Sequence, residues 1–379
     1  MTLIHAGTVV IDGEVCRPGW VQTAKRRIVA CGAGAPPAPT DIDLPNSVVV
    51  PGFVDMHVHG GGGASFTSCA DGEVDRAVTF HQRHGTTTML ASLVTAGTAE
   101  LLSAVGVLAE ATRRGAVAGI HLEGPWLSVA RCGAHDHTQI RPPESGEIDA
   151  LLGAAAGTIR MVTLAPELPG SDGTIGRFLD ANIVVAVGHT DATYEQTRHA
   201  VALGATVGTH LFNAMPPLNH REPGPVLALL QDPRVTVELI ADGVHVHPEL
   251  VAAVIAAVGP ERVALVTDAT SAAGCGDGEF RLGSLPIVVA SGVARVRGTS
   301  TIAGSTATMD QLFRAVASGA GLAAAVQTTS ATPARTLGLD GVGAIQTGFI
   351  ANIVVLDHDW QVTGVMVNGQ WRLDPTGVC

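Results

Sequence analysis

At 379 residues with 46% hydrophobic content, the chain is long enough for one large domain, or a large domain with a small companion, and too long for a single sheet of ordinary size. A formal net charge of −12 disfavours nucleic acid or an acidic membrane as the main partner, since both call for clustered positive charge. The longest apolar helical stretch, residues 251–258, falls far short of the roughly 20 residues that span a bilayer, so no membrane association is expected.

The N-terminal residues Met1-Thr2-Leu3-Ile4-His5-Ala6-Gly7 read as the start of a strand, without the basic region and apolar core of a secretory signal, and cytoplasmic location follows as the default. Strand-like segments continue over 3–11, 20–23 and 27–31, with a turn at Asp12-Gly13 and a Pro/Ala/Gly linker over 32–40. Lys25 is the one lysine among 22 basic residues. Its place in this segment removes a Schiff base, a P-loop and a carboxylated lysine bridging two metals from the chemistries open to the rest of the chain. The cysteines, Cys16, Cys31, Cys69, Cys132, Cys275 and Cys379, are scattered without a Cys-x-x-Cys pair, and reduced thiols are expected.

Between 48 and 269, short β-rich runs alternate with helix-like stretches. Eight runs are counted, at 48–59, 86–94, 117–123, 159–167, 183–189, 205–213, 236–242 and 263–268. Many are nearly continuous in Val, Ile, Leu and Ala, as parallel strands covered on both faces require. The predicted fold is therefore α/β, a (β/α)₈ TIM barrel over 48–341, with an insertion around 274–301. From about 342 the β texture returns, with an Asn368-Gly369 turn, so 1–47 and 342–379 are predicted to form one small β-sandwich domain from both chain ends.

Polar residues suited to metal binding close these runs, where barrel enzymes build their sites. Asp55-Met56-His57-Val58-His59 places two imidazoles on one side of a strand end. His-x-His alone is weak evidence, but Glu123, His189, His210 and Asp268 end other runs and would converge on the same mouth. A metal on Glu123, His189 and His210 leaves a position open for water, whose pKa falls to roughly 7 in comparable zinc sites. Asp268 would take the water proton and return it to a departing nitrogen, and His57 with His59 could hold a second metal. The implied reaction is metal-assisted hydrolysis. Such a His/Glu set takes zinc first, with iron, manganese and cobalt as the other candidates.

These motifs resemble those of the N-acetylglucosamine-6-phosphate deacetylases of the amidohydrolase superfamily, over nearly the whole chain. The opening motif is Pro51-Gly52-Phe53-Val54-Asp55-Met56-His57-Val58-His59-Gly60, and the second is His121-Leu122-Glu123-Gly124-Pro125 followed by Gly133-Ala134-His135. The most specific stretch is Thr209-His210-Leu211-Phe212-Asn213-Ala214-Met215-Pro216-Pro217-Leu218, continued by His220-Arg221-Glu222-Pro223-Gly224. Asp242-Gly243-Val244-His245 and Thr267-Asp268-Ala269 extend the likeness.

The resemblance implies removal of acetate from N-acetylglucosamine 6-phosphate to give glucosamine 6-phosphate, in amino-sugar catabolism and cell-wall recycling. It implies that His135 polarises the amide carbonyl and stabilises the oxyanion. It further implies that Asn213, Ala214, Arg221 and His245 bind the phosphosugar, with Arg221 and His245 lent by the neighbouring subunit of a homodimer or tetramer. One departure is Arg131-Cys132, where many relatives carry two basic residues before Gly-Ala-His. The histidine pair that some relatives lack is present, which allows one or two metals per subunit. The rival readings are another amidohydrolase acting on a cyclic amide or N-acyl substrate, and a non-catalytic scaffold.

Overall fold

The computed structural model describes residues 1–68 and 70–377; Cys69 and Cys379 lie outside the described residues, and Cys16, Cys31, Cys132 and Cys275 are free thiols. The chain forms two compact units, one of residues 1–55, 79–88 and 308 onward, the other of Met56–Val78 and Met89–Ala307.

The first unit contains a mixed eight-stranded sheet built from both chain ends. The N-terminal segment supplies Thr2–Ile11, Glu14–Cys16, Gly19–Ala24, Arg27–Ala33 and Ile42–Pro51, and the C-terminal segment supplies Ile353–Leu356, Val362–Val367 and Gln370–Leu373. The two ends join where Ile42–Pro51 runs antiparallel to Ile353–Leu356, with Val49 opposite Val355. Alternation along these strands turns Ile4, Ala6, Val49, Ile353, Val355 and Met366 into one core. The turns Asp12-Gly13 and Asn368-Gly369 both take positive φ, the conformation that two-residue hairpin loops demand.

The eight-stranded parallel barrel consists of β1 (Phe53–Asp55), β2 (Thr86–Leu93), β3 (Gly119–Glu123), β4 (Ile159–Leu164), β5 (Val184–Val187), β6 (Val207–Gly208), β7 (Thr236–Leu239) and β8 (Val263–Leu265), in sequence order around the sheet. The run expected over 48–59 is divided: Val48–Val50 pair in the terminal sheet, and the barrel strand starts at Phe53. Gly52 makes the break, because its N–H goes to Asn352 O and a Cβ there would collide with Thr87. Beyond the strand ends, Asp268 N–H donates to His57 O at 2.8 Å and His59 N–H to Ala269 O at 2.8 Å.

Helices follow the strands, and their caps are legible in the sequence. Tyr194–Leu203 opens on a Thr193/Gln196 capping box and ends at Gly204, whose φ of +125° lies outside ordinary side-chain range. The insertion is an antiparallel meander of Gly278–Leu282, Leu285–Ala290 and Val293–Val296. Among the described residues, no helix is long and apolar enough to cross a membrane.

Candidate active site

The strand ends of the barrel deliver the expected side chains to one place. His57 and His59 follow β1, Glu123 ends β3, and His189, His210 and Asp268 follow β5, β6 and β8. His189, His210 and Asp268 sit at φ of +47°, +27° and +46°, left-handed conformations that cost non-glycine residues energy and mark functional sites. Just before His189, Gly188 lets the chain pass close to Thr209, since a Cβ there would come within 2.6 Å of Thr209 Cβ.

Glu123 is the hub. Its Oε1 lies 3.1 Å from His189 Nε2, 3.0 Å from His210 Nε2 and 3.4 Å from His57 Nε2. Its Oε2 lies 3.0 Å from His59 Nε2 and 3.3 Å from His135 Nε2. Asp268 Oδ1 faces the first pair, 3.2 Å from His59 Nε2 and 3.5 Å from His57 Nε2. All of these residues are buried.

The outer ring nitrogens decide which way the lone pairs point. His59 Nδ1 meets the Ser92 carbonyl at 3.2 Å, His189 Nδ1 meets the Arg131 carbonyl at 2.9 Å, and His57 Nδ1 meets Glu238 Oε2 at 3.1 Å. These partners only accept, so each Nδ1 carries the proton and each neutral ring turns a lone pair inward at Nε2. Inward nitrogens then crowd together, His57 and His59 at 3.2 Å and His189 and His210 at 3.0 Å. For His57 and His59, two lone pairs at that distance need a shared positive charge. His57, His59, Glu123 and Asp268 offer one donor group for a cation, and Glu123 with His189 and His210, whose Nε2 atoms lie 3.1 and 3.0 Å from its Oε1, offers another, with Glu123 common to both. The residues therefore fit a divalent cation by donor type and by aim.

Without a cation, protons take up that charge. Burial alone would lower the His57 and His59 values, but the surrounding carboxylates outweigh it, holding His57 well above its ordinary value and His59 at about 9. Burial opposes ionisation of Asp268, yet His57 and His59 bring it down to about 2. His135 goes the other way, lowered to about 4 by burial and by the neighbouring His189. Its ring is neutral at pH 7. Thr95 N–H donates to His135 Nδ1 at 3.2 Å, so the proton of that neutral ring sits on Nε2, and His135 presents an N–H donor to the site.

A cavity of about 300 Å³ opens on this cluster, at the lower end of small-ligand sites. Its wall includes Asn213, Ala214 and His245, with Leu282 and Ile302 from the insertion and the loop after it. His245 Nδ1 is 2.8 Å from Asp242 Oδ2. Burial would lower the His245 value, but Asp242 outweighs it and raises it, which favours a cationic ring on the wall.

His245 lines the cavity of its own chain, where Asp242, three residues earlier in the same loop, anchors its ring. Arg221, in contrast, is exposed and absent from its own cavity wall. The Arg131 guanidinium pairs with Asp191 at 2.8 Å while its carbonyl anchors His189.

Several contributors escape sequence reasoning. His121 is buried edge-to-face on His57, at a ring separation of 4.5 Å, between Ser92 Oγ (2.9 Å) and Thr163 Oγ1 (2.8 Å). Glu238, in the middle of β7, is fully buried against His57. An acid inside an apolar parallel strand was the available signal.

Residues 48–372 match the amidohydrolase family, and the chain belongs to it. Among its relatives of solved structure is an aspartate-to-alanine mutant of N-acetyl-D-glucosamine-6-phosphate deacetylase from Mycobacterium smegmatis, in complex with N-acetyl-D-glucosamine-6-phosphate. It is 53% identical, with a TM-score of 0.97 over 98% of this chain and 99% of that one. The N-acetylglucosamine-6-phosphate deacetylase of Bacillus subtilis (strain 168) is 32% identical over 380 residues, covering 97% of this chain and 96% of its own length. The N-acetylgalactosamine-6-phosphate deacetylase of Escherichia coli O157:H7 is 36% identical over 361 residues, covering 93% and 95%.

Proposed function

We propose that the chain hydrolyses the acetamide of N-acetyl-D-glucosamine 6-phosphate, releasing acetate and D-glucosamine 6-phosphate. The observation that carries this reading is Glu123 shared by converging histidines, with the Asp268 carboxylate on one side of it and the His135 donor on the other. A divalent cation, zinc first among the candidates, held by Glu123, His189 and His210 would supply Lewis acidity to the attacking water. His57 and His59 with Asp268 would hold a second.

The chain's own residues do the rest. Asp268 takes a proton as water oxygen bonds to the amide carbon. His135 Nε2–H donates to the developing oxyanion. As the C–N bond breaks, Asp268 returns its proton to the sugar nitrogen, and acetate leaves. His245, whose proton affinity Asp242 raises, suits the phosphate, with Asn213 and Ala214 beside it. We assign exposed Arg221 to the phosphate site of a partner in a homodimer, catalysis to residues 48–341, and the reaction to the cytoplasm, where charged phosphosugars are retained.

The test is acetate release by protein of measured cation content from N-acetylglucosamine 6-phosphate, beside the unphosphorylated sugar and dihydroorotate. Turnover of the phosphorylated sugar alone is expected; none with cation bound would overturn the reading. N-acetylgalactosamine 6-phosphate belongs in the same series, because a relative 36% identical carries that name.

A further inference from the structure

Glu238 lies between Val237 and Leu239 in β7, a strand whose residues are all buried, and its own side chain has no exposure. A leucine or methionine would fill that volume without taking a charge out of water, so packing alone gives no reason for an acid here. One oxygen is fully used: Oε2 is 3.1 Å from His57 Nδ1 and accepts the His210 backbone N–H at 3.1 Å. The other, Oε1, has no hydrogen-bond partner among the described residues. A buried oxygen left unsatisfied costs about 1–3 kcal/mol, and Glu238 is kept in place despite it.

We propose that Glu238 is a positioning residue for the cation cluster, registering one ligand from each half through a single oxygen. A carboxylate accepts and does not donate, so Oε2 draws the His57 proton to Nδ1 and leaves the Nε2 lone pair facing His59, Glu123 and Asp268. The same oxygen holds the amide of His210, whose backbone is at φ +27° and whose Nε2 is 3.0 Å from Glu123 Oε1. Glu123 bridges the two halves from the cavity side, and Glu238 ties them from beneath. Glu238 does not line the cavity and is not a catalytic residue.

The proposal rests on reading the cluster as a cation site, and the experiment separates the two ideas. Chelator-stripped parent, Glu238→Met, Glu238→Asp and Glu238→Gln proteins are titrated with Co²⁺ against a competing chelator. The readouts are stoichiometry, the ligand-field spectrum and the melting temperature of each stripped protein. Glu238→Met is expected to lose about 10- to 100-fold in affinity for at least one cation, the usual cost of removing such a partner, and to change the Co²⁺ spectrum. Its stripped form should melt below the parent, since the His57 Nδ1–H and the His210 N–H lose their buried acceptor. Glu238→Asp, a methylene short of His57, should behave as Glu238→Met does, and carries the test if the methionine variant does not fold. Glu238→Gln, whose amide oxygen can still accept both N–H groups, should recover most of the affinity. Parent-like binding and spectrum in the Met or Asp variant would overturn the role of Glu238. A parent that binds no Co²⁺ would overturn the cation site itself.

Discussion

Replacing Asp268 with asparagine isolates proton transfer from geometry. The amide keeps an oxygen where Oδ1 stands, 3.2 Å from His59 Nε2 and 3.5 Å from His57 Nε2. The backbone clamps remain, since Asp268 N–H donates to His57 O at 2.8 Å and Ser305 N–H donates to Asp268 O at 2.8 Å. Asparagine also tolerates the φ of +46° at this position better than most residues. What disappears is a carboxylate that can both take and return a proton. General acid–base catalysis contributes about 10²- to 10⁴-fold, or roughly 3–5 kcal/mol of barrier, and a residue serving both steps belongs toward the upper end. The assay is steady-state acetate release by parent and variant loaded to equal, measured cation content. A fall in kcat of about 10³-fold or more with KM within a few-fold is expected. A loss below tenfold at equal loading would refute the shuttle and move the base elsewhere in the cluster.

His135→Gln should lower kcat by about 10²- to 10³-fold, the cost of one oxyanion donor, with a smaller change in KM, in the same assay. Arg221→Ala should raise KM for the phosphosugar while leaving cation content unchanged. If the arginine serves a partner's site, mixing that variant with Asp268→Asn chains should restore about a quarter of parental activity, from heterodimers carrying one sound site. Asp310 offers a stability test in the other unit. Burial works against its ionisation, but His84, Thr308 and Arg314 hold its carboxyl at about 2, below the ordinary 3.8. A lowered folded value stabilises above the unfolded one and loses that contribution as pH falls through about 2. Asp310→Asn should therefore cost about 2 kcal/mol near pH 7, shrinking between pH 4 and 2, as read by urea denaturation across that range.

The cluster was legible because each of its members closes a run of apolar residues, and a polar side chain at such a place has few structural uses. His57, His59, Glu123, His189, His210 and Asp268 all meet within hydrogen-bonding distance of another member. Each of the eight runs likewise contains a barrel strand, the first being shared with the terminal sheet, since strands buried on both faces must be apolar throughout. Partners drawn from other strands were not legible. Ser92, His121 and Glu238 matter through neighbours 29 to 181 positions away in sequence, and nothing local records those pairings.

The left-handed backbone at His189, His210 and Asp268 also bears on how this scaffold can change. Positions locked in that conformation accept few replacements, so the floor of the cavity is closed to gradual variation. Leu282 and Ile302 on the wall carry no such restriction. New acyl or sugar preferences are therefore more accessible through wall positions such as these, with the hydrolytic chemistry inherited intact beneath them.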